Sequence, residues 1–433
     1  MQTSANSASA RRARTAFVTA AVLLLSAALI FAKTGRDALF VQGRGLFDVP
    51  KAYIGIALLA GPLAGFVLAM LRMLGPRTVR IILPVMTALA LVWFATVVRP
   101  GGGPLMTGFF MFVPLIWGVV FSVSWLLAAD LLDGECEGDI AGSFGVIGGG
   151  AIVGGVLAGV AGRLLAPHIE APAFLLIAAG GLLVAAVVMG VAHRRYPTQM
   201  AGTGPRADAD DTPVRWLRHP YVRTLLAVGM AAGLVGLLVE FQFYVAAAAG
   251  GGSVREQAGF FANFYFVLNT VALIVQVGVV PRAQRRWGIG GSLLVLPLVL
   301  VGGAVGLAAS ASLAAAATVR VTEGGLKSSI HRSSWEQTYL SLVQRDRTTA
   351  KLIVEGLGVR IAEGLGALVL LAWLRYAVGE GDITGQSRVW LVAFFLLSAL
   401  LWVFSTRRLG LQIRGRADAR QLHPARLAPL PDG

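Results

Sequence analysis

Apolar runs of about 20 residues recur along the whole sequence, and that is the length a helix needs to cross the hydrocarbon core of a bilayer. Twelve can be placed, near 16–33, 51–74, 79–99, 105–130, 141–166, 171–192, 222–249, 258–280, 290–309, 311–330, 349–376 and 388–406. The tenth is the weakest, because Arg320, Glu323 and Lys327 interrupt it. A chain of 433 residues could make about three soluble domains, but only 14% of these residues are charged. Soluble domains carry about 25%. The 54 glycines follow no three-residue period, and 56% of the chain is hydrophobic, which excludes collagen-like and disordered classes. The first run continues directly into Lys33 and Arg36 without a small-residue cleavage pattern, so it reads as a retained span rather than a cleaved signal. The expected class is an all-α polytopic membrane protein with about twelve transmembrane helices.

Net charge is +15, from 37 basic and 22 acidic residues. In a soluble chain that excess would suggest nucleic acid. In a polytopic chain it reads as loop charge that fixes orientation, and no nucleic-acid partner is expected. Arg11, Arg12 and Arg14 precede the first span, and Arg72, Arg77 and Arg80 lie between the second and third. Arg194, Arg195, Arg206, Arg215 and Arg218 separate the sixth and seventh, Arg282, Arg285 and Arg286 the eighth and ninth, and Arg407, Arg408, Arg414 and Arg416 follow the last. With twelve spans all of these fall on one side, which places both termini in the cytoplasm. The acidic loop with Asp133, Glu135, Glu137 and Asp139 falls on the same side, although acidic residues count little in this rule.

The one long polar interruption, with Pro197, Pro205, Asp208, Asp210, Asp211 and Pro213, reads as a linker. The expected organisation is therefore a six-helix half over 1–193, a cytoplasmic linker over 194–221, a second six-helix half over 222–407, and a tail over 408–433. A basic turn follows the second span of each half, Leu-Arg-Met-Leu-Gly-Pro-Arg at 71–77 and Pro-Arg-Ala-Gln-Arg-Arg-Trp-Gly at 281–288. Such matching fits a duplicated unit of the major facilitator type, and it fits simple charge placement equally well.

Ionisable side chains inside spans are costly and are functional candidates by default. Arg36 and Asp37 adjoin the first span, and as sequence neighbours they point to different helix faces, so they are not expected simply to neutralise each other. Glu240 stands alone in an apolar run and needs a cation, a proton or a water-filled cavity. Lys351 and Glu355 are spaced i,i+4 and Arg360 and Glu363 i,i+3, so each pair can share a face in an apolar helix turned to the bundle interior. The charges between Arg332 and Arg347, Glu336 among them, read mostly as loop charge. Several fixed cations in a cavity suit an anionic substrate such as a phosphate ester, and internal salt bridges are the plain alternative.

Glycines fill the fifth span, with small-xxx-small spacing at Gly150 and Gly154 and at Gly155 and Gly159, which lets helices approach closely. No Gly-Lys-Ser/Thr follows, so this is not a phosphate-cradling loop. The lone Cys136 excludes an intramolecular disulfide, and no Cys/His cluster has zinc spacing. Nothing forms a nucleophile, base and orienter arrangement, so neither an enzyme nor a cofactor is expected.

Several segments resemble the ATP/ADP translocases of plastids and intracellular bacteria, nucleotide antiporters related to the major facilitator superfamily. Thr34-Gly35-Arg36-Asp37-Ala38-Leu39-Phe40-Val41 resembles that family's Thr-Lys-Asp segment, and Leu238-Val239-Glu240-Phe241 its Leu-Val-Glu-Val segment. Ile116-Trp117-Gly118-Val119-Val120, Ser334-Trp335-Glu336-Gln337-Thr338-Tyr339 and Ala350-Lys351-Leu352-Ile353-Val354-Glu355 are similar to three further stretches. The chain departs at Leu115, where the family has a glutamate, and at His331-Arg332-Ser333, which replaces an Asp-Pro. The resemblance implies a monomeric inner-membrane transporter of ATP, ADP or another small organic anion, working by alternating access. It implies substrate contacts by Arg36, Glu240, Lys351 and Arg360, supported by Asp37, Glu336, Glu355 and Glu363. A facilitator-type, proton-coupled transporter of another small anionic solute and a non-transporting membrane sensor or assembly protein are the alternatives.

Overall fold

A computed structural model describes residues 2–42, 47–100, 103–131, 137–196, 219–310, 312–342, 350–379, 383 and 385–422. Among them every regular element is helical. The linker assigned from sequence to 194–221 falls outside the described residues over 197–218, as do Asp133, Glu135, Cys136 and the run Arg345-Asp346-Arg347.

The helices are α1 (Gln2–Val41), α2 (Asp48–Val97), α3 (Gly103–Leu131), α4 (Glu137–Leu165), α5 (Ala171–Arg195) and α6 (Pro220–Ala249). Then α7 (Val254–Ile274) runs through a π turn at Val275–Val279 into α8 (Val280–Ala309). α9 (Leu313–Leu326) runs through a second π turn at Lys327–His331 into α10 (Arg332–Thr338). A third π segment at Leu352–Gly358 leads into α11 (Val359–Trp373) and a fourth at Leu374–Val378, before α12 (Gly385–Leu422).

Nine helices among the described residues are long and apolar enough to cross a membrane. Two of them are too long to do so once. The 50-residue stretch Asp48–Val97 would measure about 75 Å if straight, against a hydrocarbon core of about 30 Å. It bends at Gly75, whose φ of 76° only glycine adopts without strain, and Val254–Ala309 bends likewise at Gly288, φ 66°. Divided at these glycines, the nine become eleven. The segment from Leu313 to Ser341, the tenth span expected from sequence, is not one of the nine, but it stays helical across Arg320, Glu323 and Lys327 and is long enough to span. Both bends lie in the two basic turns of the sequence, so these corners are built alike. Large side chains such as Leu58, Phe66, Met73 and Val187 are exposed along the spans, which suits lipid as the solvent.

The chain divides into two compact units, Met1–Arg206 with Phe243–Leu273, and Ala207–Gln242 with Ile274–Gly433. In the first, α1 packs on α3, α4 and α5. The glycines of α4 set its spacing from two neighbours. A Cβ on Gly150 would meet Thr19 Cγ2 at 2.5 Å and one on Gly154 would collide with the Leu23 carbonyl, both on α1. One on Gly159 would meet Phe266 Cα of α7 at 2.5 Å. Close backbone approach is what this spacing is for. Trp117 of α3 donates Nε1–H to the Leu25 carbonyl of α1 at 3.2 Å. In the second unit α12 packs on α8, which also borders α9 and α10. There Tyr221 of α6 donates its hydroxyl to the Thr338 carbonyl at 2.7 Å.

Candidate functional site

The end of α1 carries the first cluster, within the first unit. Gly35 allows it to form, since a Cβ there would stand 2.8 Å from the Ala171 carbonyl oxygen at the start of α5. Arg36 and Asp37 are thereby buried to 2% and 0% exposure. They do neutralise each other, contrary to the expectation from helix faces. Arg36 Nε lies 2.6 Å and its Nη2 2.5 Å from Asp37 Oδ1. The reason is burial: an arginine stem long enough to curl round the helix finds its carboxylate sooner than it finds water. Tyr244 accepts from Arg36 Nη2 at 2.9 Å and donates to Asp37 Oδ1 at 2.8 Å, while Tyr265 donates to Oδ2. The guanidinium lies 4.3 Å from the Phe110 ring centroid, and Lys33 Nζ 4.8 Å from that of Tyr265.

Glu240 on α6 belongs to a second cluster, in the second unit. Arg320 Nη2 of α9 donates to Glu240 Oε2 at 2.6 Å. Its Nη1 goes to Glu323, whose other oxygen takes Lys327 Nζ at 3.0 Å. Two carboxylates and two cations thus form a chain from Glu240 through Arg320 and the fully buried Glu323 to the half-exposed Lys327. Gly236, one turn before Glu240, leaves room for it, since a Cβ there would lie 3.1 Å from Lys327 Nζ. Arg320 and Lys327 counted against the tenth span when read as sequence, yet they hold the partners that an intramembrane carboxylate demands.

The third cluster joins α10 to the π segment at Leu352–Gly358, also in the second unit. Lys351 Nζ contacts both oxygens of Glu336, at 2.9 and 2.7 Å. Arg332 bridges Glu336 and Glu355, the latter at 3.1 Å. Trp335 Nε1 donates to Glu355 Oε1 at 2.9 Å. Two sequence expectations change here. Arg332 and Glu336 are helical and bonded rather than loop charges, and Lys351 and Glu355 take partners on α10 instead of sharing a face with each other. A neighbouring helix offers both oxygens of one carboxylate to Lys351, which a residue one turn along its own helix does not. Lys351 is also wetter than expected of a side chain turned to the bundle interior, at 39% exposed. Arg360 does pair with Glu363 at i,i+3, 2.7 Å apart.

The structure therefore brings Arg36 to Asp37, Lys351 to Glu336 and Arg360 to Glu363, and gives Glu240 the partner Arg320. Tyr244 and Tyr265 were not among the candidate residues, and Arg320, Glu323 and Lys327 counted as ionisable groups of the tenth span without an assigned role. Among the described residues no group of three or more His, Cys, Asp or Glu side chains is arranged to hold a metal ion.

No protein-family model matches the sequence, and no curated protein does. Solved structures match its fold. A bacterial homolog of the human lysosomal transporter Spinster, inward-facing and unoccupied, aligns with 92% of this chain and 98% of its own at 16% identity and a TM-score of 0.55. The POT family transporter PepTSo aligns with 92% and 99% at 12% identity and 0.63. A point mutant of the nucleoside transporter NupG aligns with 92% and 99% at 10% identity and 0.59. The fold is that of the major-facilitator-type transporters. As expected from the hydropathy pattern, the chain is an all-α polytopic membrane protein, and it has this fold.

Proposed function

We propose that the protein is a membrane transporter of a small organic anion, with exchange of nucleotides such as ATP and ADP as its specific activity. The observation that carries this reading is the set of carboxylate–cation clusters set into the transmembrane segments of a major-facilitator fold. Ionised groups at that depth are costly to retain and are rarely kept for stability alone. Arg36, Lys351 and Arg360 are the cations for substrate phosphates. Each already holds a carboxylate, on Asp37, Glu336 or Glu363, so a phosphate binds by exchange and the released carboxylate reports occupancy to its helix. Glu240 couples the conformational change through Arg320. Two six-helix halves, 1–193 and 222–407, alternate access about the linker, in a monomer in the inner membrane with cytoplasmic termini.

The experiment is uptake of labelled nucleotide into proteoliposomes preloaded with nucleotide. Exchange that needs internal ATP or ADP supports the reading, and absence of exchange with either removes the nucleotide claim. A second reading is favoured by one contact: Arg320 lies between two carboxylates, Glu240 and Glu323, so protonation of one would release it to the other. This is the arrangement of a proton-coupled transporter of another anionic solute. Uptake driven by an imposed pH gradient, and lost in Glu240→Gln, selects it over exchange.

A further inference from the structure

Two arginine runs far apart in sequence flank one helix crossing in the second unit. α8 and α12 approach backbone to backbone where Gly290 faces Gly410, a Cβ on Gly290 falling 2.8 Å from Gly410 Cα. Just before Gly290 lie Arg282, Arg285 and Arg286, and flanking Gly410 lie Arg407, Arg408 and Arg414, all exposed. Arg282 gives one N–H to the Gly278 carbonyl at 2.5 Å and Arg285 one to the Pro281 carbonyl at 3.1 Å, so each keeps donors for an outside partner. No acidic residue occurs between Glu256 and Glu323, or between Asp382 and Asp418. The crossing is also the place where both helices leave their apolar stretches, so it lies at headgroup depth. Exposed apolar side chains adjoin the arginines: Trp287 is 49%, Phe404 65% and Leu411 62% exposed. A soluble polyanion would need only the charge, whereas a lipid uses both the guanidinium groups and the apolar wall beside them.

The geometry points to a binding site for an anionic phospholipid headgroup at the α8–α12 crossing, formed by Arg285, Arg286, Arg407 and Arg408, with the acyl chains lying along Trp287 and Phe404. It rests on the fold and the surface alone, and stands whether the transported solute is a nucleotide or not.

The test is retention of phosphatidylglycerol against phosphatidylcholine by the full-length protein in nanodiscs, read by mass spectrometry of the lipid that survives delipidation. The unaltered protein should retain phosphatidylglycerol selectively, and retention should fall with added salt. Each Arg→Gln substitution among the four should lower it about fivefold, the equivalent of ~1 kcal/mol per cation at a membrane surface, while Arg→Lys at the same positions should preserve most of it. Equal retention of both lipids, salt-insensitive retention, or full retention by the four-fold Gln variant overturns the proposal. Complete displacement of the lipid by inorganic tripolyphosphate also overturns it, by showing a site for free polyanions. If the four-fold variant does not fold, the single Gln variants and the salt series on the unaltered protein decide the question.

Discussion

Arg320 binds Glu240 at 2.6 Å while its second terminal nitrogen binds Glu323, so one guanidinium serves two carboxylates on two helices. The arrangement holds a switch at balance: whatever neutralises one carboxylate leaves the arginine to the other.

Glu240→Gln should therefore lower transport by at least about tenfold with little change in the unfolding midpoint, because Arg320 keeps Glu323. Glu240→Asp should recover part of the rate. Initial rates in proteoliposomes and thermal unfolding of the purified protein check both halves. Full activity of the Gln variant would remove Glu240 from the mechanism.

Arg320→Gln should behave differently. It leaves two carboxylates without their shared cation, and breaking a buried ion pair from one side costs about 3–5 kcal/mol. Adding Glu240→Gln to it should restore part of that loss. Unfolding of the single and double variants, compared as a cycle, gives the coupling; strict additivity would mean that the two side chains do not interact.

Tyr265→Phe should destabilise the first unit by about 1–3 kcal/mol, since it removes a donor from a carboxylate that is wholly buried. Asp37→Ala should cost more, because Arg36, Tyr244 and Tyr265 would all lose a wholly buried acceptor. A lower midpoint and faster proteolysis are the expected readouts, and wild-type stability in Asp37→Ala would count against the described packing.

Gly159→Leu should abolish folded protein, because even a Cβ there meets the α7 backbone at 2.5 Å. Gly145→Leu, on the same helix but with open space around its Cβ, should be tolerated. Monodisperse yield from detergent separates the two.

The fold was legible because lipid imposes a length and a polarity on every span, and both can be read locally. The Gly75 and Gly288 bends fall in the two basic turns that the sequence shows between spans. Glu240 was legible for the same reason, as one carboxylate in an apolar run. Its partner was not, since Arg320 is 80 residues away and pairing depends on which helices touch. Tyr244 and Tyr265 were hidden in the same way, at 207 and 228 residues from Asp37. The i,i+4 spacing of Lys351 and Glu355 misled because a face shared within one helix says nothing of a better partner on the next. The π turns carry no sequence signature, being set by packing rather than by residue type.

Those π turns bear on what the chain could tolerate. The turn at Lys327–His331 is in effect an α-helix that has absorbed one extra residue. Deleting a residue there would return the helix to ordinary α geometry and leave everything beyond it on the face it already presents. Arg332, Trp335 and Glu336 would go on facing Lys351 and Glu355, whereas the same deletion in a regular α stretch would turn them about 100° away. A change of length, which normally belongs to loops, is therefore one this helix can absorb at Lys327–His331 without disconnecting one charge cluster from the other.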